Sequence, residues 1–158
     1  MQNNNITIND FVSQEKLERV DKPIHEANGL PNELYVNKDY LKFERKKLFE
    51  NKWVVIGVAS SLPNIGDAKP FDLLEIPLII LRNKKNEIKV FHNVCSHRGY
   101  KLLQKTCNIK NVIRCPYHSW SYNLEGKLSA TPHIGGMDKH EAEGFNKSKN
   151  NLKEVRSY

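Results

Sequence analysis

A chain of 158 residues holds one ordinary domain with a real core and hardly two, and its hydrophobic content of 39% suits a folded soluble protein. Three cysteines are too few for a disulfide framework and odd in number, so in a reducing compartment they are thiols or metal ligands. The net charge of +7 comes from scattered lysines accompanied by many asparagines, which reads as a solvated surface, or one suited to an acidic redox partner, with no nucleic-acid site implied.

Met1 to Ile8 have neither a basic n-region nor an apolar h-region, so the chain is expected to be untargeted and cytoplasmic. The longest apolar runs, Trp53–Ala59 and Ile76–Leu81, are too short to cross a bilayer, and no membrane association is expected. Residues 1–35 lack sustained periodicity and read as an extended or partly ordered arm. Asn37 is placed to cap one helix from Lys38 to Glu50, with Tyr40, Leu41, Phe43, Leu48 and Phe49 as its apolar face. The pattern then changes to strands. Trp53–Val58 reads as a buried strand, Leu62–Asp67 as a loop, and Phe71–Leu74 and Pro77–Arg82 as further strands. A polar turn, Asn83–Asn86, leads into Ile88–His92 and makes a hairpin. Val112–Arg114 and Trp120–Tyr122 are two more strand candidates, and Asn123–Gly126 is a second hairpin turn. From Pro132 the chain is loop-like until Leu152–Tyr158, which begins to resemble a strand. The expected fold is mainly antiparallel β, with an N-terminal arm at 1–35 and one helix opening a domain at 36–158.

The informative feature is Cys95-Ser96-His97, followed after 17 intervening residues by Cys115-Pro116-Tyr117-His118. Each half supplies one thiolate and one imidazole from a short loop. A two-iron cluster with two cysteines on one iron and two histidines on the other needs that arrangement, because each loop must straddle both irons. Two ferric ions, two sulfides and two thiolates sum to zero, so such a cluster accepts an electron at roughly −150 to +300 mV, against about −400 mV for an all-cysteine plant-type cluster. A structural zinc site is the alternative from spacing alone, although a Cys-x-His loop is less natural there than the Cys-x2-4-Cys knuckle.

The flanking residues, Asn93-Val94-Cys95-Ser96-His97-Arg98-Gly99 and Cys115-Pro116-Tyr117-His118-Ser119-Trp120, resemble the two cluster loops of the Rieske non-haem iron oxygenases, the ring-hydroxylating family. The likeness runs on through Tyr122, Gly126 and Leu128, and upstream to Leu30-Pro31, Tyr35, Phe49, Trp53 and Gly66-Asp67. Ser119 departs from the glycine usual in the family. The resemblance implies a [2Fe–2S] cluster bound by Cys95, His97, Cys115 and His118. Respiratory Rieske proteins carry an extra cysteine in each loop, joined as a disulfide; Tyr100 and Tyr117 stand at the corresponding positions here, which points to the lower-potential oxygenase branch.

The same resemblance implies the N-terminal portion of an oxygenase α subunit, an oxidoreductase component acting by one-electron transfer. Its partners would be a reductase or ferredoxin donor and a mononuclear-iron catalytic domain, commonly in a neighbouring subunit of a homo-oligomer. A free-standing Rieske ferredoxin and a zinc-binding structural module are the rival readings. Cys107 matches no ligand position and reads as a free thiol in a variable loop; His92 reads as structural or solvated. Arg98 and Trp120 resemble family residues beside the cluster, with loop packing as their simpler role. His133, Asp138, His140 and Glu141 imitate a two-His-one-carboxylate iron site, but no helix fixes their geometry, and no catalytic residue is assigned.

Overall fold

The computed structural model describes residues 6–158. The reading of the N-terminus as lacking a leader, and the start of the arm, fall partly on residues 1–5 and to that extent lie outside the described residues. The chain divides into two compact units, one ending at Val55 and the other Ile56–Tyr158.

The first unit is helical where an arm was expected. Its helices are α1 (Gln14–Val20), α2 (Asn32–Val36) and α3 (Lys38–Glu44). Asn37 caps α3 as its sequence position predicts: its Oδ1 accepts the Asp39 and Tyr40 amides at 2.8 and 3.0 Å, satisfying donors that the first turn leaves unpaired. The α-helix stops at Glu44 rather than Glu50 and passes into a π-helical turn, Arg45–Phe49. Phe11 from the expected arm packs its ring against Tyr40 and Phe43, at centroid distances of 5.5 and 5.4 Å. Lys16 on α1 pairs with Glu33 on α2. These helices are too short to show a hydrophobic period, so tertiary contact rather than propensity orders the region.

The second unit is built from antiparallel strands: β1 (Asp67–Leu73), β2 (Ile76–Arg82), β3 (Ile88–His92), β4 (Cys107–Asn108), β5 (Val112–Arg114), β6 (Ser121–Asn123), β7 (Leu128–Ala130) and β8 (Glu154–Val155). One sheet runs β4-β1-β2-β3-β8 and the other β5-β6-β7. The apolar run in β2 is explained by burial on both faces. Ile79 and Leu81 enter the main core with Phe91, Cys95, Cys115, Trp120 and Tyr122, whereas Leu78 and Ile80 join Val90 and Leu62 in a second cluster.

Trp53–Val58 is not a strand, against expectation. Trp53, Val55 and Val58 are 63%, 91% and 67% exposed, and the segment belongs to neither sheet. An apolar run becomes a strand only where a neighbour supplies a ladder, and none of the described strands pairs with this segment. Conversely, β1 begins at Asp67, inside the expected loop, because Asp67 and Ala68 find partners in Asn108 and Cys107. Cys107 is therefore a strand residue, corrected from a loop. No helix among the described residues is long and apolar enough to cross a membrane.

Candidate metal centre

Cys115 directly follows β5, and Cys95 lies three residues past the end of β3. The first loop follows β3, and the second links β5 to β6. Asn93, fully buried, anchors the first: its side chain donates to the Leu103 carbonyl at 2.7 Å and accepts the Leu103 amide at 2.8 Å. Its amide donates to Pro77 O at 2.8 Å.

The two loops then use one backbone turn twice. The Cys95 amide donates to Tyr100 O at 2.8 Å and Gly99 N to Cys95 O at 2.9 Å; the Cys115 amide donates to Trp120 O at 2.8 Å and Ser119 N to Cys115 O at 2.9 Å. The fifth residue of each turn is left-handed, Gly99 at φ 70° and Ser119 at φ 59°. Ser119 thus keeps the backbone a glycine would supply and bears the strain of a β-carbon there. The imidazole falls third in the first turn and fourth in the second.

This frame brings the four predicted side chains together. Cys95 and Cys115 are both 2% exposed free thiols, close enough that the Cys115 thiol acts on the Cys95 ionisation. The His97 and His118 rings meet edge to face at 4.7 Å. Burial is the main force pushing the Cys95 thiol up, so without a metal it stays protonated. Burial likewise pushes His97 down, helped by His118 and Arg98, which keeps the imidazole neutral, the form that binds metal. The Nδ1 of His118 is buried without a hydrogen-bond partner. A buried polar atom of that kind calls for an unseen partner, and two thiols with two imidazoles suit a [2Fe–2S] cluster. Among the described residues no three His, Cys, Asp or Glu side chains group as ligands of one ion; a two-iron cluster asks for two protein ligands per iron.

Tyr122 supports the first loop in a way that the sequence did not signal. Its phenol is fully buried, lies 3.3 Å from Cys95 Sγ and 2.8 Å from Ser96 Oγ, and accepts the Ser96 amide at 3.1 Å. Burial holds it above the usual phenol range, so it remains a proton donor, and a thiolate at Cys95 can only accept. Ser96 Oγ donates its own proton to Asn150 O at 2.6 Å, so the single phenolic proton is shared between Ser96 Oγ and Cys95 Sγ. Tyr100 and Tyr117, at the positions of the absent cysteine pair, pack at 5.7 Å.

An open cleft of about 760 Å³ lies beside the two imidazoles, lined among others by His97, Arg98, Tyr117, His118, Trp120 and His133. His133 and His140 are not arranged as iron ligands. His133 Nδ1 accepts the Asp138 amide at 3.0 Å and His140 Nδ1 accepts the His133 amide at 3.2 Å, which leaves the neutral ring's proton on each Nε2. The pair ties a turn. His92 ends β3, half-buried, with its amide on Lys153 O at 2.9 Å.

The model of the Rieske [2Fe–2S] domain matches residues 52–142. The carnitine monooxygenase oxygenase subunit of Escherichia coli (strain K12) is 32% identical over 104 residues, 66% of this chain and 28% of that protein. The biphenyl dioxygenase subunit alpha of Metapseudomonas furukawaii is 31% identical over 126 residues, 78% and 28% of the two chains. Among solved structures, the apo form of a quaternary ammonium Rieske monooxygenase superposes with TM-score 0.73 at 28% identity, covering 82% of this chain and 36% of that one. Naphthalene 1,2-dioxygenase from Rhodococcus sp. does so with TM-score 0.69 at 28% identity, covering 90% and 32%. The chain thus spans about a third or less of the length of these relatives.

Proposed function

The chain belongs to the Rieske [2Fe–2S] domain family, and from that premise we propose that Cys95 and Cys115 bind one iron of its cluster and His97 and His118 the other. When bound, the cluster takes up and gives back a single electron, at a potential raised by having two neutral imidazoles in place of two thiolates. The observation that carries the assignment is the repeated turn, which delivers one thiol and one imidazole from each loop to the same place, with His118 Nδ1 buried and unpartnered. The surrounding residues serve that set. Burial keeps His97 neutral, Tyr122 offers a proton to the Cys95 sulfur, and Asn93 fixes the approach of the first loop. His97 and His118 line the open cleft, which makes the imidazole side the one a redox partner reaches.

The likeness to oxygenase subunits supports a role as the electron-accepting part of a Rieske oxygenase. A reductase or ferredoxin would supply the electron, and a mononuclear-iron catalytic domain, in a neighbouring subunit of a homo-oligomer, would receive it. On this reading residues 36–158 form the Rieske portion, and the preceding segment, expected as an arm, carries α1 and most of α2. The test is a redox titration of the cluster-loaded chain beside His97→Cys and His118→Cys. Each substitution exchanges a neutral ligand for an anionic one and should lower the potential; an unchanged potential would remove that histidine from the ligand set. Reduced and exposed to O₂, the chain should hydroxylate none of the quaternary amines or aromatics that such oxygenases take. Product formed by the chain alone would contradict a purely electron-accepting role.

A further inference from the structure

The repeated turn fixes one more residue in each loop. Tyr100 and Trp120 stand five positions after their cysteines, and their carbonyls accept the cysteine amides at 2.8 Å. Each side chain then crosses to the opposite loop. Tyr100 meets Tyr117 with its plane tilted by 41°, whereas Trp120 lies flat on His97, centroids 4.6 Å apart and planes within 10°. Trp120 is only 3% exposed, and Phe145 presses edge-on against it at 5.6 Å and 72°. The indole is therefore a fixed surface.

An imidazole on a short loop can turn about its Cβ–Cγ bond, and that torsion is soft. Rotation would lift the His97 ring off the indole and forfeit the stack. His118 is under other control: it faces the edge of His97 at 71° and is covered by its neighbour Tyr117 at 3.7 Å and 40°. We propose that Trp120 is the positioning residue of His97, the second loop's indole setting the ring plane of the first loop's histidine while leaving His118 untouched. The inference rests on the ligand set proposed above, and it assigns the aromatic crossing a role beyond loop packing.

The asymmetry between the two histidines makes the test specific. Pulsed EPR of the reduced, cluster-loaded chain reads the nitrogen couplings of the two imidazoles separately. In Trp120→Leu, one histidine coupling should shift and broaden while the other keeps its wild-type value. Trp120→Phe, which retains a ring face, should bring the shifted coupling back towards wild type. Couplings that are both unchanged in Trp120→Leu, or that both move together, would overturn the proposal, as would a Phe variant no better than Leu. Should Trp120→Leu fail to fold, Phe145→Ala is read by the same criterion, since it frees the indole without removing it: one coupling altered supports the proposal, and none or both overturns it. A wild-type spectrum lacking two histidine couplings would instead overturn the ligand set, a failure distinguishable from that of Trp120.

Discussion

Removing one oxygen atom, by Tyr122→Phe, separates what the phenol does for the fold from what it does for the cofactor. The ring stays, so the core around Ile79, Leu81 and Phe91 is disturbed little. Three interactions go: the acceptor for the Ser96 amide at 3.1 Å, the contact with Ser96 Oγ at 2.8 Å and the donor 3.3 Å from Cys95 Sγ. An unsatisfied buried donor costs about 1–3 kcal/mol. Ser96 is exposed enough for water to replace part of that, so a loss of about 1 kcal/mol is expected, or roughly 2–4 °C in Tm. With the cluster bound, the phenol's bond to a thiolate is of the charged kind, about 1.5–3 kcal/mol. It strengthens when an electron adds negative charge. If about a third of it is differential between the redox states, its loss lowers the potential by roughly 20–45 mV for a one-electron couple. Thermal melts of the variant and a redox titration read the two effects independently. A lowered Tm with an unchanged potential would confine Tyr122 to packing, and a raised potential would refute the reasoning about charge.

Three further outcomes follow from the backbone and the buried groups. Ser119→Gly relieves a left-handed residue at φ 59°, worth about 1–2 kcal/mol, against about 0.5–1 kcal/mol of added chain entropy, so the melt should move up slightly; a fall would contradict the strain. Gly126→Ala should destabilise by about 2–4 kcal/mol in denaturant unfolding, because φ is 75° and the new β-carbon would come within 2.5 Å of the Phe91 ring; a loss well under 1 kcal/mol would contradict it. For His92, burial first and Lys153 second hold the imidazole below its ordinary range. Its contribution is full above the unfolded pKa of about 6.5 and lost as pH falls below it, since the unfolded ring takes a proton that the folded ring resists. His92→Asn should flatten that acid-side loss, and equal slopes in both proteins, measured by denaturant midpoint against pH, would refute it.

The proposed metal centre was legible in the sequence because ligation demands particular residue types, and Cys95, His97, Cys115 and His118, which the fold brings together, have few substitutes as ligands. Turn chemistry was equally direct. Asn83, whose side chain accepts the Lys85 and Glu87 amides at 3.0 and 2.9 Å, closes the hairpin into β3, whose bounds agree with the expected Ile88–His92. What the sequence could not show were consequences of pairing over distance. Trp53–Val58 and Ile76–Leu81 look alike as apolar runs, and only the second has strands on both sides. The strands β4 and β8 are two residues each, too short for any period, and exist because Ala68 and Val90 face them. The stacking of Trp120 on His97 and the buried clamp at Asn93 are likewise facts of tertiary contact, visible only once the two loops are brought together.

Iron, zinc and acid-labile sulfide content of the purified chain, measured beside Cys107→Ser and Cys95→Ser, tests the central assignment most directly. The account predicts two irons and two sulfides per chain in the wild type and in Cys107→Ser, since Cys107 lies on β4 outside the ligand set, and loss of both in Cys95→Ser. One zinc per chain without sulfide, or a cluster that survives loss of Cys95 but not of Cys107, would contradict it.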